Sequence, residues 1–153
     1  MNNDDTIDTL NDLIETCKDG EYGSRACAEQ ADSATLKSTL SQRGDQCRGA
    51  ASELQGLVHS LGGEAEESGS TGGAMHRSWI AIRTALSSFD DLAVLDEAER
   101  GEDRALAAYR DAMKMELPTS VQPIVERQYQ GAKANHDQMR TLRDQHRALK
   151  AAA

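Results

Sequence analysis

Four apolar stripes at helical spacing, each interrupted by polar residues, constrain this chain more than any other feature. The first runs Ile7, Leu10, Ile14, Cys17, then Glu21, then Ser24 and Ala28. The second carries Leu36 and Leu40, then Arg43, then Cys47, Ala50, Leu54 and Leu57. The third is Leu92, Leu95, Glu99, Glu102, Leu106, Tyr109, Met113, and the fourth Val121, Ile124, Gln128, Ala132, Asn135, Met139, Leu142. Steps alternating between three and four residues describe the seams of an antiparallel helical bundle. A charged residue on such a seam is rarely buried without a partner, so Glu21, Arg43, Glu99 and Glu102 each need one.

The vocabulary agrees with helices. Aromatic residues make up 3% of the 153 positions and proline occurs twice, a poor supply for a sheet, and the length suffices for one domain with a core. A net charge of −9 argues against general binding to nucleic acid or to anionic membranes, both of which need basic surface. No apolar run approaches a membrane span. The polar, acidic start from Met1 to Thr6 reads against a secretory signal peptide. Cys17, Cys27 and Cys47 form no CxxC and leave one thiol over in any pairing, so a reducing cytoplasm is expected.

The pattern predicts one domain over 1–153, with helices at about 4–31, 33–61, 90–116 and 120–147. Asp4 and Asp5 suit the first N-terminus, Asp32-Ser33 turns and caps the second helix, and Gly62-Gly63 stops it. Residues 62–73 are rich in Gly, Ser and Glu and read as a linker. A short amphipathic helix with Met75, Trp79, Ile82 and Leu86 on one face follows. The segment from Ser88 to Asp91 has a capping-box pattern. Pro118 breaks the third helix, and Thr119 with Gln122 caps the fourth.

Facing residues of an antiparallel hairpin are equidistant from its turn. Ile7 with Leu57, Cys17 with Cys47 and Glu21 with Arg43 all centre the first turn on Asp32-Ser33. Tyr109 with Gln128, Glu102 with Asn135 and Leu95 with Leu142 centre the second on Pro118-Thr119. The connection over 62–88 is long enough to run the length of the bundle. Helices of this size are about 42 Å long. With such a crossover, Glu21, Arg43, Glu102 and Asn135 fall at one height, whereas a simple up-down order separates Glu21 from Glu102 by about 8 Å.

The stretches IDTLNDLIETCKDGEYG (7–23), LGGEAEESGSTGGAMHRSW (61–79), ERGEDRALAAY (99–109) and VERQYQGAKANHDQMR (125–140) resemble a bacterial family of uncharacterised four-helix-bundle proteins grouped with the ferritin-like superfamily. The resemblance covers nearly the whole chain. It implies a ferritin-like bundle of two antiparallel hairpins joined by a long crossover, and it supplies no function.

Di-iron bundles of that superfamily take one Glu from each of two helices and a Glu-x-x-His from each of the others. Glu21 and Glu102 match the single-Glu positions. The second and fourth helices carry no Glu-x-x-His at this level; His136 stands one residue past Asn135, with Lys133 three before it. Arg43 occupies the level a metal would take. The expectation is therefore a buried polar layer of Glu21, Arg43, Glu99, Glu102 and Asn135, with no metal and no cofactor. The alternative is iron or manganese on Glu21, Glu102 and His136. His59, His76 and His146 join no ligand cluster, and Cys17 and Cys47 read as small buried hydrophobes. The expected function is a non-enzymatic bundle acting through self-association or an unidentified protein partner, with the Trp79 face favouring a homo-oligomer. A metal-binding or oxidative ferritin-like protein with a modified carboxylate site is the alternative.

Overall fold

The computed structural model describes residues 2–69 and 91–152. These form an all-α, four-helix bundle: α1 (Asn3–Gln30), α2 (Ala34–Ser60), α3 (Asp91–Met113) and α4 (Gln122–Ala152). Helix α1 packs on α2 and on α3, and α3 packs on α4. The bounds lie close to those expected, except that α3 ends three residues early and α4 runs five residues further. The short helix expected around Trp79 and the Ser88 cap lie outside the described residues.

Several helix ends have a local cause. Asn2 Oδ1 accepts from the Asp5 N–H at 2.8 Å, and Ser33 Oγ accepts from Leu36 N–H at 3.2 Å, satisfying N–H groups that a helix leaves free. Gly62, at φ +82°, takes the left-handed turn after α2, and the Gly63 N–H closes onto Val58 O at 3.0 Å as a glycine stop should. The chain is then tied along α1. Asn11 donates to Glu64 O and accepts from Glu66 N–H, while Gln55 of α2 donates to Glu66 O. At the other end of α1, the Asp91 carboxylate accepts from the N–H groups of Asp32 and Ser33 at 2.7 and 3.0 Å. The first turn of α3 thus rests on the α1–α2 turn. Between α3 and α4 the N–H groups of Val121 and Gln122 close onto Pro118 O.

Two apolar cores result. One gathers Leu10, Ile14, Leu54, Val58, Leu106, Tyr109, Val121 and Val125. The other gathers Cys27, Ala31, Leu36, Leu40, Val94, Leu95 and Met139. The buried residues of α1 stop at Cys17 and resume at Ala26, leaving a stretch with no large apolar side chain inward.

The side-chain contacts between α1 and α2 depart from the expected pairs. A Cβ on Gly20 would stand 3.0 Å from Cys47 Sγ, and the Arg25 side chain lies against Gly44 and bonds Asp45 at 3.0 Å. The cause is side-chain direction, because side chains lean toward their own helix N-terminus. Cys47 leans toward the turn and meets Gly20. Arg25 leans away from it and meets Asp45.

Candidate functional site

A cavity of about 770 Å³ lies at mid-bundle and touches both cores. Its size is within the range of small-molecule pockets. Five glycines from the four helices line it: Gly20 and Gly23 of α1, Gly49 of α2, Gly101 of α3 and Gly131 of α4. Glycine inside a helix costs about 0.5–1 kcal/mol relative to alanine. Packing does not demand all of them, since a Cβ at Gly49 or Gly131 would meet nothing within 4 Å.

Arg43 and Glu102 form one wall. Arg43 Nε donates to Glu102 Oε1 at 2.5 Å and Nη2 to Oε2 at 3.0 Å, a two-pronged charge-assisted pair between α2 and α3. The side chains are 11% and 7% exposed. Burial alone pulls the guanidinium down, but the bonds to Glu102 and nearby negative charge outweigh it and hold Arg43 above its ordinary value.

A second wall carries a chain of hydrogen bonds from the interior to the surface. Tyr109 Oη stands 3.2 Å from Cys17 Sγ and donates to Gln128 Oε1 at 2.8 Å. Gln128 Nε2 donates to Glu53 Oε1 at 2.8 Å, and Arg127 donates to Glu53. Burial pushes Cys27 and Cys47 up to about 12 and raises Cys17 and Tyr109 as well. The thiolate is the nucleophilic form, so these groups stay protonated and unreactive at neutral pH. Glu97 also lines the cavity; its Oε1 is buried with no hydrogen-bond partner, 4.0 Å from Arg104 Nη2.

The expected polar layer divides. Arg43 meets Glu102, while Glu21 is half-buried and bound by Arg25 of its own helix at 2.9 Å. Asn135 donates to Gln46 Oε1 and to Gly131 O. Glu99 is buried but engages α4, where Arg140 and Arg143 donate to it. The alternative ligand set of Glu21, Glu102 and His136 is not brought together. Arg25 and Arg43 take the two glutamates, and His136 Nε2 lies against Asp103 and Glu99 instead. Among the described residues Glu99, Asp103 and His136 form the group able to hold a metal ion. Sequence reasoning missed Asp103 because it lies off the apolar stripe, although its spacing of four from Glu99 puts both on one helix face. It also missed Glu97 and the helix-interior glycines.

Residues 5–115 match the family described as Domain of unknown function (DUF2383). The chain belongs to that family. The matched span holds α1 from Asp5 onward, α2, α3 and both members of the Arg43–Glu102 pair, whereas α4 with Gln128 and His136 lies beyond it. No curated protein matches the chain. No helix among the described residues is long and apolar enough to cross a membrane.

Proposed function

We propose that the protein is a non-enzymatic, ferritin-like binding bundle that receives a small organic molecule in its mid-bundle cavity. The observation that carries this reading is the convergence of helix-interior glycines from four helices on one space. Glycine there sacrifices helix stability, and the room it leaves is the compensating gain. The wall chemistry fits a ligand with an apolar body and hydrogen-bonding groups. Alanines and protonated thiols line part of it, and Glu97 Oε1 offers an acceptor without a donor.

Arg43 pairs with Glu102 at the level a metal would take and Arg25 pairs with Glu21, which supports the absence of a di-iron centre and of its oxidative chemistry. Two observations support the ferritin-like crossover. Residues 63–66 are held beside Ile7 and Asn11 near the start of α1, and Asp91 is held at its end. Three free, buried cysteines are in keeping with a reducing cytoplasm. Self-association rests on the Met75, Trp79, Ile82 and Leu86 stripe, which lies outside the described residues; homo-oligomerisation and any protein partner are proposed on that pattern alone.

Fragment screening by amide NMR tests the cavity reading. Bound fragments should shift the amides of Gly49, Gly101 and Gly131 together, because three helices face the same space. The Gly49→Leu/Gly131→Leu variant should lose those hits while keeping its helical circular dichroism. Hits confined to the outer surface, or unchanged in the filled variant, would refute the reading.

A further inference from the structure

We infer that Glu99, Asp103 and His136 form a mononuclear site for a divalent first-row transition ion, separate from the cavity and from the level of Arg43. Their ligand atoms all lie within 4.8 Å of one another. Glu99 and Asp103 sit one turn apart on α3 and His136 faces them from α4, a pairing that helix spacing makes rigid.

The decisive feature is the imidazole. His136 is 6% exposed at its side chain, and its Nδ1 bonds to Asp137 Oδ1 at 3.3 Å. A carboxylate only accepts, so this contact places a proton on Nδ1, and in the neutral ring Nε2 presents a lone pair. That buried nitrogen stands 2.6 Å from Asp103 Oδ1 and 3.7 Å from Glu99 Oε1, yet makes no hydrogen bond. A lone pair facing two carboxylate oxygens is repulsive unless a metal ion or a second ring proton lies among them, and no hydrogen bond from such a proton is formed. A metal ion bonded to all three resolves the conflict with no proton to place.

The surroundings match the outer shell of a metal site. Ligating histidines usually donate their second nitrogen to a carboxylate, as His136 does to Asp137. Arg140 and Arg143 hold Glu99 in place. Asp103 is 61% exposed, which gives the ion an entry path and leaves room for water ligands. One imidazole with two carboxylates suits zinc, manganese or iron(II) rather than calcium or magnesium, which prefer all-oxygen sets.

Isothermal titration of chelator-stripped protein with Zn²⁺, and visible absorption with Co²⁺, test the site. One ion per chain is expected, with a Co²⁺ band that Zn²⁺ displaces. Asp103→Asn, on an exposed side chain, should keep the fold and weaken binding at least tenfold, and His136→Gln should do the same or more. Glu21→Gln should leave binding unchanged, which separates this site from the bundle centre. Failure of the wild type to bind Zn²⁺, equal binding by His136→Gln, or an imidazole nitrogen-15 signature of a doubly protonated ring in the stripped and Zn²⁺-treated protein alike would overturn the proposal. None of these outcomes bears on the cavity, whose glycine amides report separately.

Discussion

Replacing Arg43 with methionine removes the cation from a buried pair and keeps most of the side-chain volume. Both guanidinium bonds to Glu102 are lost, and the carboxylate, 7% exposed, is left without its counter-charge. Breaking a buried pair from one side costs about 3–5 kcal/mol. The lower figure applies here because Glu102 lines the cavity, where water can reach it. About 3 kcal/mol corresponds to a fall of about 6–12 °C in Tm for a domain of this size. The double variant Arg43→Met/Glu102→Leu removes both charges and should recover most of that loss, because the pair's own attraction is largely offset by its desolvation. Urea unfolding of wild type, single and double variants measures both effects. An Arg43→Met variant within about 1 kcal/mol of wild type, or a double variant as unstable as the single one, would mean that the loss does not come from a stranded carboxylate.

Gly49→Ala and Gly131→Ala should each raise stability by about 0.5–1 kcal/mol, since the added methyl meets nothing, whereas Gly44→Ala should gain nothing because Arg25 lies 3.1 Å from that position; thermal unfolding compares them. Asp91→Ala removes both acceptors for the Asp32 and Ser33 N–H groups and should cost about 1 kcal/mol in the same assay. Because burial lifts Cys27 from 9.0 to about 12, the unfolded chain loses this proton before the folded one, so stability should decline from pH 9 toward pH 12, and Cys27→Ala should flatten that decline. Sedimentation should show a dimer or larger assembly, and a strict monomer at high micromolar concentration would count against self-association.

The four helices were legible because the stripes of Leu10, Ile14, Leu54, Leu95, Leu106 and Met139 carry the period that burial imposes, and because Ser33, Gly62 and Pro118 mark ends by their own chemistry. The polar slots were legible as a group but not as pairs. Residue spacing assigns heights along a helix, whereas long side chains choose partners by the direction in which they lean. Glu21 consequently went to Arg25 of its own helix, and Arg43 to Glu102 across the bundle. Cavity and metal group were harder to read for opposite reasons. Gly49 and Gly131 leave no apolar trace in a periodicity, and Asp103 and His136 sit just off the stripes, where ordinary surface residues also sit.

Native mass spectrometry of the protein, purified without chelators from the cells that make it, tests whether the cavity holds an organic ligand. An organic adduct is expected on the folded wild-type chain and not on Gly49→Leu/Gly131→Leu, with at most one divalent ion on either. Two transition-metal ions retained per chain, or identical masses of bound material in wild type and filled variant, would contradict it.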